Sequence, residues 1–477
     1  MASSLWATWR SRASWTRSMA AQRRRPRSCL AVESLENRCL LDGIPIIPNL
    51  PSKFLSASTV PANGDLNPYG VAFVPRGFPE GGPLHPGDIL VSNFNNNVAG
   101  GNLQGRGTTI VDLSPTGKQT LFFQGSSTPG DLGLTTALGV LSRGFVLVGS
   151  LPTIDGMSSS IQKPGALLIL NSQGKTVMTL RDSKFLDGPW DLTVNDEGDE
   201  AQVFVSNVLS GTVTRLDLSI PEHGNPMVTG KVQIASGYTK RTDPTALVLG
   251  PTGLAYDADR EILYVASTAD NAIYAIDNAE DRTTDAKKGT KIYSDSKHLN
   301  GPLALTLTPN GDLITSNGDA FNPNSTVPPS ELIEFTPKGH FVAELQVDTV
   351  PGSAFGLALE TAHDQIHFAA VDDNSNTLDI WTMNVDADPD GRSTAPSRPA
   401  IPELPSNDLI GASPNANRLV VGEAASTMMM VPANTAALEQ LFAETATTLP
   451  RSSLTSQTLP VSIETEIGNQ DVSGPAL

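Results

Sequence analysis

The sequence predicts an all-β chain folded as a six-bladed β-propeller of four-stranded antiparallel blades, with disordered extensions at both ends. Two observations carry that reading. A motif of Gly or Asn, Pro and an apolar residue recurs as Asn67-Pro68-Tyr69-Gly70-Val71-Ala72, Gly188-Pro189-Trp190-Asp191-Leu192-Thr193, Gly250-Pro251-Thr252-Gly253-Leu254-Ala255 and Gly301-Pro302-Leu303-Ala304-Leu305-Thr306. Each copy is followed by a second apolar run that ends on small polar residues: Val91-Ser92-Asn93, Val205-Ser206-Asn207, Ala266-Ser267-Thr268 and Thr315-Ser316-Asn317. Weaker copies at Val148-Gly149-Ser150 and Ala370-Val371-Asp372 bring the number of units to six, with intervals of 57, 57, 61, 49 and 55 residues between positions 93, 150, 207, 268, 317 and 372. Repetition at such a period signals stacked units that cannot bury a face alone.

Within a unit, short alternating runs are separated by turns. In the fourth unit the predicted strands are 252–256, 261–267, 272–276 and 290–293, with Asp257-Ala258-Asp259-Arg260 as the first turn. Four strands per unit, six times over, closes most simply around an axis. The 41 Gly and 36 Pro of the 477 residues cluster between the apolar runs, which suits many turns and disfavours long helices. The last unit is short of one strand, and Lys53-Phe54-Leu55-Ser56-Ala57-Ser58 stands unpaired ahead of the first. That segment is therefore predicted to supply the outer strand of the final blade and cover an edge.

The polar strand-repeat pattern of Val203-Phe204-Val205-Ser206-Asn207 with Thr212-Val213-Thr214-Arg215-Leu216-Asp217, and of Asp88 to Asn93 with Thr109 to Leu113, resembles NHL-type repeats over residues 53–385. The expected domains are a basic N-terminal segment at 1–42, a linker at 43–52, the propeller at 53–385, and a Pro/Ser/Ala-rich tail at 386–477. A short helix is expected at 436–445, where Leu438, Leu441 and Phe442 share a face that would dock on the ring or meet a partner.

The formal charge is −18, and residues 1–38 hold eight Arg against Glu33 and Glu36, so the remainder stands near −24. Such a body offers no basic stripe for nucleic acid. No run approaches 18 apolar residues, so no transmembrane helix is predicted. Cys29 and Cys39 precede the repeats, leaving the core without disulfides, and the pair does not decide the compartment. Behind Arg23-Arg24-Arg25-Pro26-Arg27, the run Leu35-Glu36-Asn37-Arg38-Cys39-Leu40-Leu41 resembles the LEPR-XLL motif of large exported bacterial proteins, with Asn37 at a departing position. The resemblance implies an extracytoplasmic or cell-surface location; a basic arm with no address is the alternative. Trp6, Trp9 and Trp15 precede Met19 in a segment without periodicity, which suggests translation from Met19.

For chemistry, strand order places both repeated motifs at one face, so Asn93, Ser150, Asn207, Thr268, Asn317 and Asp372 are expected to ring one mouth of the axial channel beside Tyr69 and Trp190. The competing expectation is that each Asn closes a local turn on the backbone. Amide and carboxylate oxygens suit calcium. The regucalcin and gluconolactonase family is similar in fold, and that resemblance implies an axial metal and lactone hydrolysis. The chain departs from that family's Pro-Asn-Gly with Pro251-Thr252-Gly253 and shows no early Glu ligand. Asp386, Asp388 and Asp390 in Asp386-Ala387-Asp388-Pro389-Asp390-Gly391 open like a calcium loop, but Ser397 replaces the bidentate Glu, and a solvated acidic linker is the alternative. His363 and His367 span a turn, which does not suit zinc. No nucleophile elbow, phosphate loop or dinucleotide fingerprint occurs. The sequence thus points to a monomeric, non-enzymatic propeller that recognises a protein, glycan or small ligand. The alternative is a calcium-dependent lactone or ester hydrolase.

Overall fold

A computed structural model of the chain describes residues 44–98, 101–318, 330–362 and 365–384. The expectations on 1–42, on Asp386, Asp388 and Asp390, and on the helix at 436–445 fall outside these residues. The chain divides into two units, Met1–Ala395 and Pro396–Leu477, and every described residue lies in the first.

The described residues form five four-stranded antiparallel sheets, one five-stranded sheet built on the same four-stranded path, and one two-stranded hairpin. Their innermost strands are Leu66–Phe73, Leu134–Leu141, Pro189–Asp196, Pro251–Asp257, Pro302–Leu307 and Ala354–Ala362, which define blades one to six. Each inner strand touches that of the next blade, and the sixth touches the first, so the sheets close into a β-propeller. Blade four follows the sequence reading closely, with strands Pro251–Asp257, Ile262–Ser267, Ala272–Ile276 and Thr290–Tyr293. Leu55–Ser58 pairs antiparallel with Thr377–Asn384 as the outer strand of blade six, with Leu55 opposite Ile380. Among the described residues the first strand and the last thus share one sheet, and the predicted edge is covered. Two additions were not foreseen. Gly101–Gln104 folds back on the second strand of blade one, and a hairpin of Arg241–Asp243 and Leu247–Leu249 stands between blades three and four.

The repeated motifs have a common physical cause. In every blade the first residues of the inner strand lie opposite the end of the second strand: Pro68 with Asn93, Leu134 with Ser150, Pro189 with Asn207, Pro251 with Ser267, Pro302 with Asn317 and Ala354 with Asp372. Immediately afterwards all six inner strands shift register through a β-bulge. A bulge takes a backbone N–H out of the ladder. In three blades the serine of the second strand accepts it: Gly70 N, Asp191 N and Ala304 N each donate to the Oγ of Ser92, Ser206 and Ser316 at 3.0 Å. These serines are fully buried, where an unsatisfied amide costs about 1–3 kcal/mol.

The small residue inside the bulge is set by the same geometry. Gly70, Ala137, Gly253, Ala304 and Gly356 occupy equivalent places, and the three glycines lie hard against the backbone of a neighbouring inner strand. A Cβ on Gly253 would lie 2.5 Å from Leu305 N. Blade three is the exception, with Asp191 in that place.

Candidate functional site: one-ended axial cavity

The structure places the expected ring residues deep inside the blades. Asn93, Asn207 and Asn317 are fully buried. Asn93 Nδ2 donates to Thr59 O at 3.1 Å and Thr109 Oγ1 at 3.2 Å. Asn207 Nδ2 donates to Phe185 O and Thr214 Oγ1, both at 3.2 Å, and Asn317 Nδ2 donates to His298 O at 2.7 Å. Each amide therefore ties the loop that enters its own blade to the second or third strand. Asn317 Oδ1 also accepts Asn300 N, whereas the Oδ1 atoms of Asn93 and Asn207 have no protein partner. Asp372 accepts the N–H groups of Asn374 and Ser375 and the Ser375 hydroxyl, the pattern of an Asx turn.

Tyr69 and Trp190 do come together, and they close that end of the axis. The Tyr69 ring stacks on Phe355 with centroids 4.6 Å apart and meets Trp190 edge-on at 5.9 Å, while Phe94 lies 5.6 Å from Trp190. Leu151, Val208, Leu303 and the hairpin residues Leu247, Val248 and Leu249 join the same buried cluster. Phe94, Leu151 and Val208 each follow the polar residue that closes the motif on a second strand, so the residue after the motif supplies the plug.

Below the plug the inner strands enclose a cavity of about 500 Å³ that reaches from Tyr69 and Asp191 to Arg76, Tyr256 and Glu360 at the far ends of the strands. Each inner strand is the last in its sheet, so its unpaired edge faces the axis and brings backbone amides and carbonyls into the wall. Thr136, Thr193, Thr306 and Thr361 also line it. Asp191 is the carboxylate at the plugged end. Its oxygens accept Leu192 N at 2.8 Å and, across the blade boundary, Leu254 N at 3.1 Å. Burial holds this carboxyl well above the usual range despite those two amides, and it holds the Tyr69 phenol up as well, with Asp373 and Asp191 adding to the effect. At the mouth Glu360 is raised by burial and lowered by Arg76 beside it.

Sequence reasoning missed Asp191, although a signal existed. Aligned copies read Tyr69-Gly70, Thr252-Gly253 and Leu303-Ala304 where blade three reads Trp190-Asp191, so a charged residue replaces a small one at a single repeat. Asp373 also went unnoticed. It follows Asp372 at the place that Phe94 and Val208 hold in their blades, and burial with the Asp372 charge pushes it up to about 7.

The sign of its effect follows. Folded Asp373 holds its proton to about pH 7 while an unfolded aspartic acid loses it near 3.8, so the folded state binds more protons between those values. Stability from this group is greatest at low pH and declines as pH rises through about 7. Asp112, pushed up to about 6 chiefly by burial, acts in the same direction. The melting temperature is expected to fall between pH 5 and pH 8, and Asp373→Asn to flatten that slope; an unchanged slope in the variant refutes the assignment.

Among the described residues no group of three or more His, Cys, Asp or Glu is placed to hold a metal ion. Calcium takes six to eight oxygens, and both Asp191 oxygens and those of Asp372 already accept protein donors, so this donor set does not fit that ion.

Fold and cavity define a β-propeller with an axial cavity open at one end. No family model matches the chain, and no curated protein matches it. Among solved structures it is similar to a gluconolactonase of Xanthomonas campestris, with 12% identity over 71% of this chain and 93% of that one and a TM-score of 0.42. It is also similar to a calcium-binding regucalcin of Agrobacterium tumefaciens, with 13% identity over 69% and 95% and a TM-score of 0.39. A chain of a nidogen–laminin complex is 10% identical over 64% and 96%, with a TM-score of 0.37. The likeness concerns architecture, and nothing about ligand or chemistry passes across it.

Proposed function

We propose that this chain is an extracytoplasmic binding propeller of NHL type that takes a small ligand in its axial cavity. The observation that carries the binding half is the cavity itself: about 500 Å³, stopped at Tyr69, and walled by strand edges with Asp191 at its closed end. Concave sites of this size with a small number of placed polar groups are where small ligands bind. The location rests on the arginine cluster and on Leu35 to Leu41, as read from the sequence.

Thr306 lines the cavity and is partly exposed, so Thr306→Phe fills space without cutting into the plug. Ligand-detected NMR screening of small polar fragments against the full chain should give hits for the wild type and weaken them about tenfold or more in the variant, or about 1.4 kcal/mol. Hits that persist unchanged in a folded Thr306→Phe place binding elsewhere and reject the reading.

A second reading, a lactone or ester hydrolase, is favoured by one observation. A carboxyl with a raised pKa at the closed end of a small cavity, Asp191, is the kind of group that serves as a general acid or base. Lactone or ester turnover that falls in Asp191→Asn would displace the binding reading.

A further inference from the structure

We infer that the axial cavity is selective for a small organic cation carrying an N–H donor, a primary or secondary ammonium group, with its charge at Asp191 and Tyr69. This rests on the binding reading above and gives its ligand a chemical class.

Three features of the closed end agree. The first is a carboxyl without a basic partner. Among the described residues the Asp191 carboxylate is held by two backbone amides and paired with no basic side chain. The cavity's basic side chain, Arg76, stands exposed at the opposite end beside Glu360. Burial disfavours the charged form of this carboxyl, and a bound cation would offset that cost by pairing with the ionised form, where an alcohol or a carboxylate would not. The second is the aromatic floor. Tyr69 lines the cavity and is fixed by stacking on Phe355 and by its edge contact with Trp190. Phe355 takes one face of this ring, so Tyr69 is a fixed floor beside Asp191 against which a ligand would rest. The third is the wall, where six unpaired strand edges bring backbone amides and carbonyls to the axis. The carbonyls among them accept the remaining N–H bonds of an ammonium group, and the choice of a cation over an anion falls to Asp191.

Asp191 is also the one departure from a rule that the other five blades obey. Gly70, Ala137, Gly253, Ala304 and Gly356 fill the bulge with little or no side chain, and the fold closes with any of them. The carboxylate in blade three is thus more than the bulge requires. Its bond to Leu254 N gives it a structural use, so the test must separate charge from shape.

Asp191→Asn preserves size and one acceptor oxygen, enough for either Leu192 N or Leu254 N, while removing the charge. The full-length protein and this variant are titrated with n-hexylammonium, n-hexanol and hexanoate, with melting temperature as a check on folding. The expected result is binding of n-hexylammonium at least about tenfold tighter than the other two, lost in Asp191→Asn. Equal or tighter binding of hexanol or hexanoate at the same cavity overturns the cation class and leaves the binding reading standing. Failure of all three probes in a folded wild type, together with no hits in the fragment screen, overturns both. Tetramethylammonium distinguishes the two attractions: binding equal to that of n-hexylammonium overturns the N–H requirement.

Discussion

Replacing Gly356 with valine is expected to prevent the ring from closing. Gly356 lies in the bulge of the last inner strand, and a Cβ there would overlap the carbonyl oxygen of Tyr69 in the first. It would also come within 2.9 Å of Val71 Cγ2. The nearest obstacle is backbone, so no rotamer change relieves it, and the collision falls at the seam where the first and sixth blades meet. Overpacking a core costs about 1–3 kcal/mol when side chains can adjust, and this site lies at or beyond the upper end of that range. Chemical denaturation should show a loss of about 3 kcal/mol or more, or no soluble protein. A valine variant with a wild-type midpoint would mean that the inner strands are not in this contact. Gly77→Val, where an added Cβ meets nothing within 4 Å but φ is +84°, shows what backbone strain alone does.

The second large effect is expected at Glu334. This side chain has no solvent exposure, and its two oxygens accept Ile46 N at 2.8 Å and Ile47 N at 2.7 Å. Ile46 and Ile47 pack with Ile314, Leu332, Phe368 and Trp381, so residues 46–47 form a strap across blades five and six. The strap precedes Leu55–Ser58, the strand that completes blade six. Hydrogen bonds to a charged group contribute about 1.5–3 kcal/mol each, and Glu334→Ala leaves two N–H groups without an acceptor. A loss of about 3 kcal/mol or more is expected. Glu334→Gln, which keeps one acceptor oxygen, should recover part of it. Burial raises the Glu334 pKa, the two amides lower it and Asp312 raises it again, so its ionisation weighs against the folded state while its bonds weigh for it. Equal stability of the alanine and glutamine variants would show that the amides are not what the carboxylate serves.

Much of the architecture was legible because the repeat records backbone geometry. Pro189 lies opposite Asn207 and Pro302 opposite Asn317, so the two halves of the motif are cross-strand partners and their spacing fixes the hairpin. The serine before the asparagine satisfies the bulge amide, which is why the pair recurs. The missing strand of blade six was legible for a different reason: Leu55–Ser58 had strand character and no neighbour in the chain.

Which end of the axis is open was not legible. That depends on Phe94, Leu151 and Val208, and on Leu247, Val248 and Leu249 from the hairpin, whose burial at one place exists only after the blades close. A row of asparagines at strand ends is compatible with a polar mouth or with local ties, and side-chain bonds to Thr59 O, Phe185 O and His298 O are not encoded in spacing. Asp191 was visible as the odd residue at its repeat position, but its meaning required knowing that this position faces both Leu254 N and the cavity.

The account turns on the open end of the axis being the binding end. The most direct measurement compares affinity for one fragment hit in Thr306→Phe and in Asn207→Ala, each checked for folding. The account predicts that Thr306→Phe weakens binding about tenfold or more while Asn207→Ala, though less stable, binds as the wild type does. Loss of binding in folded Asn207→Ala with retention in Thr306→Phe would put the site at the aromatic end and contradict it.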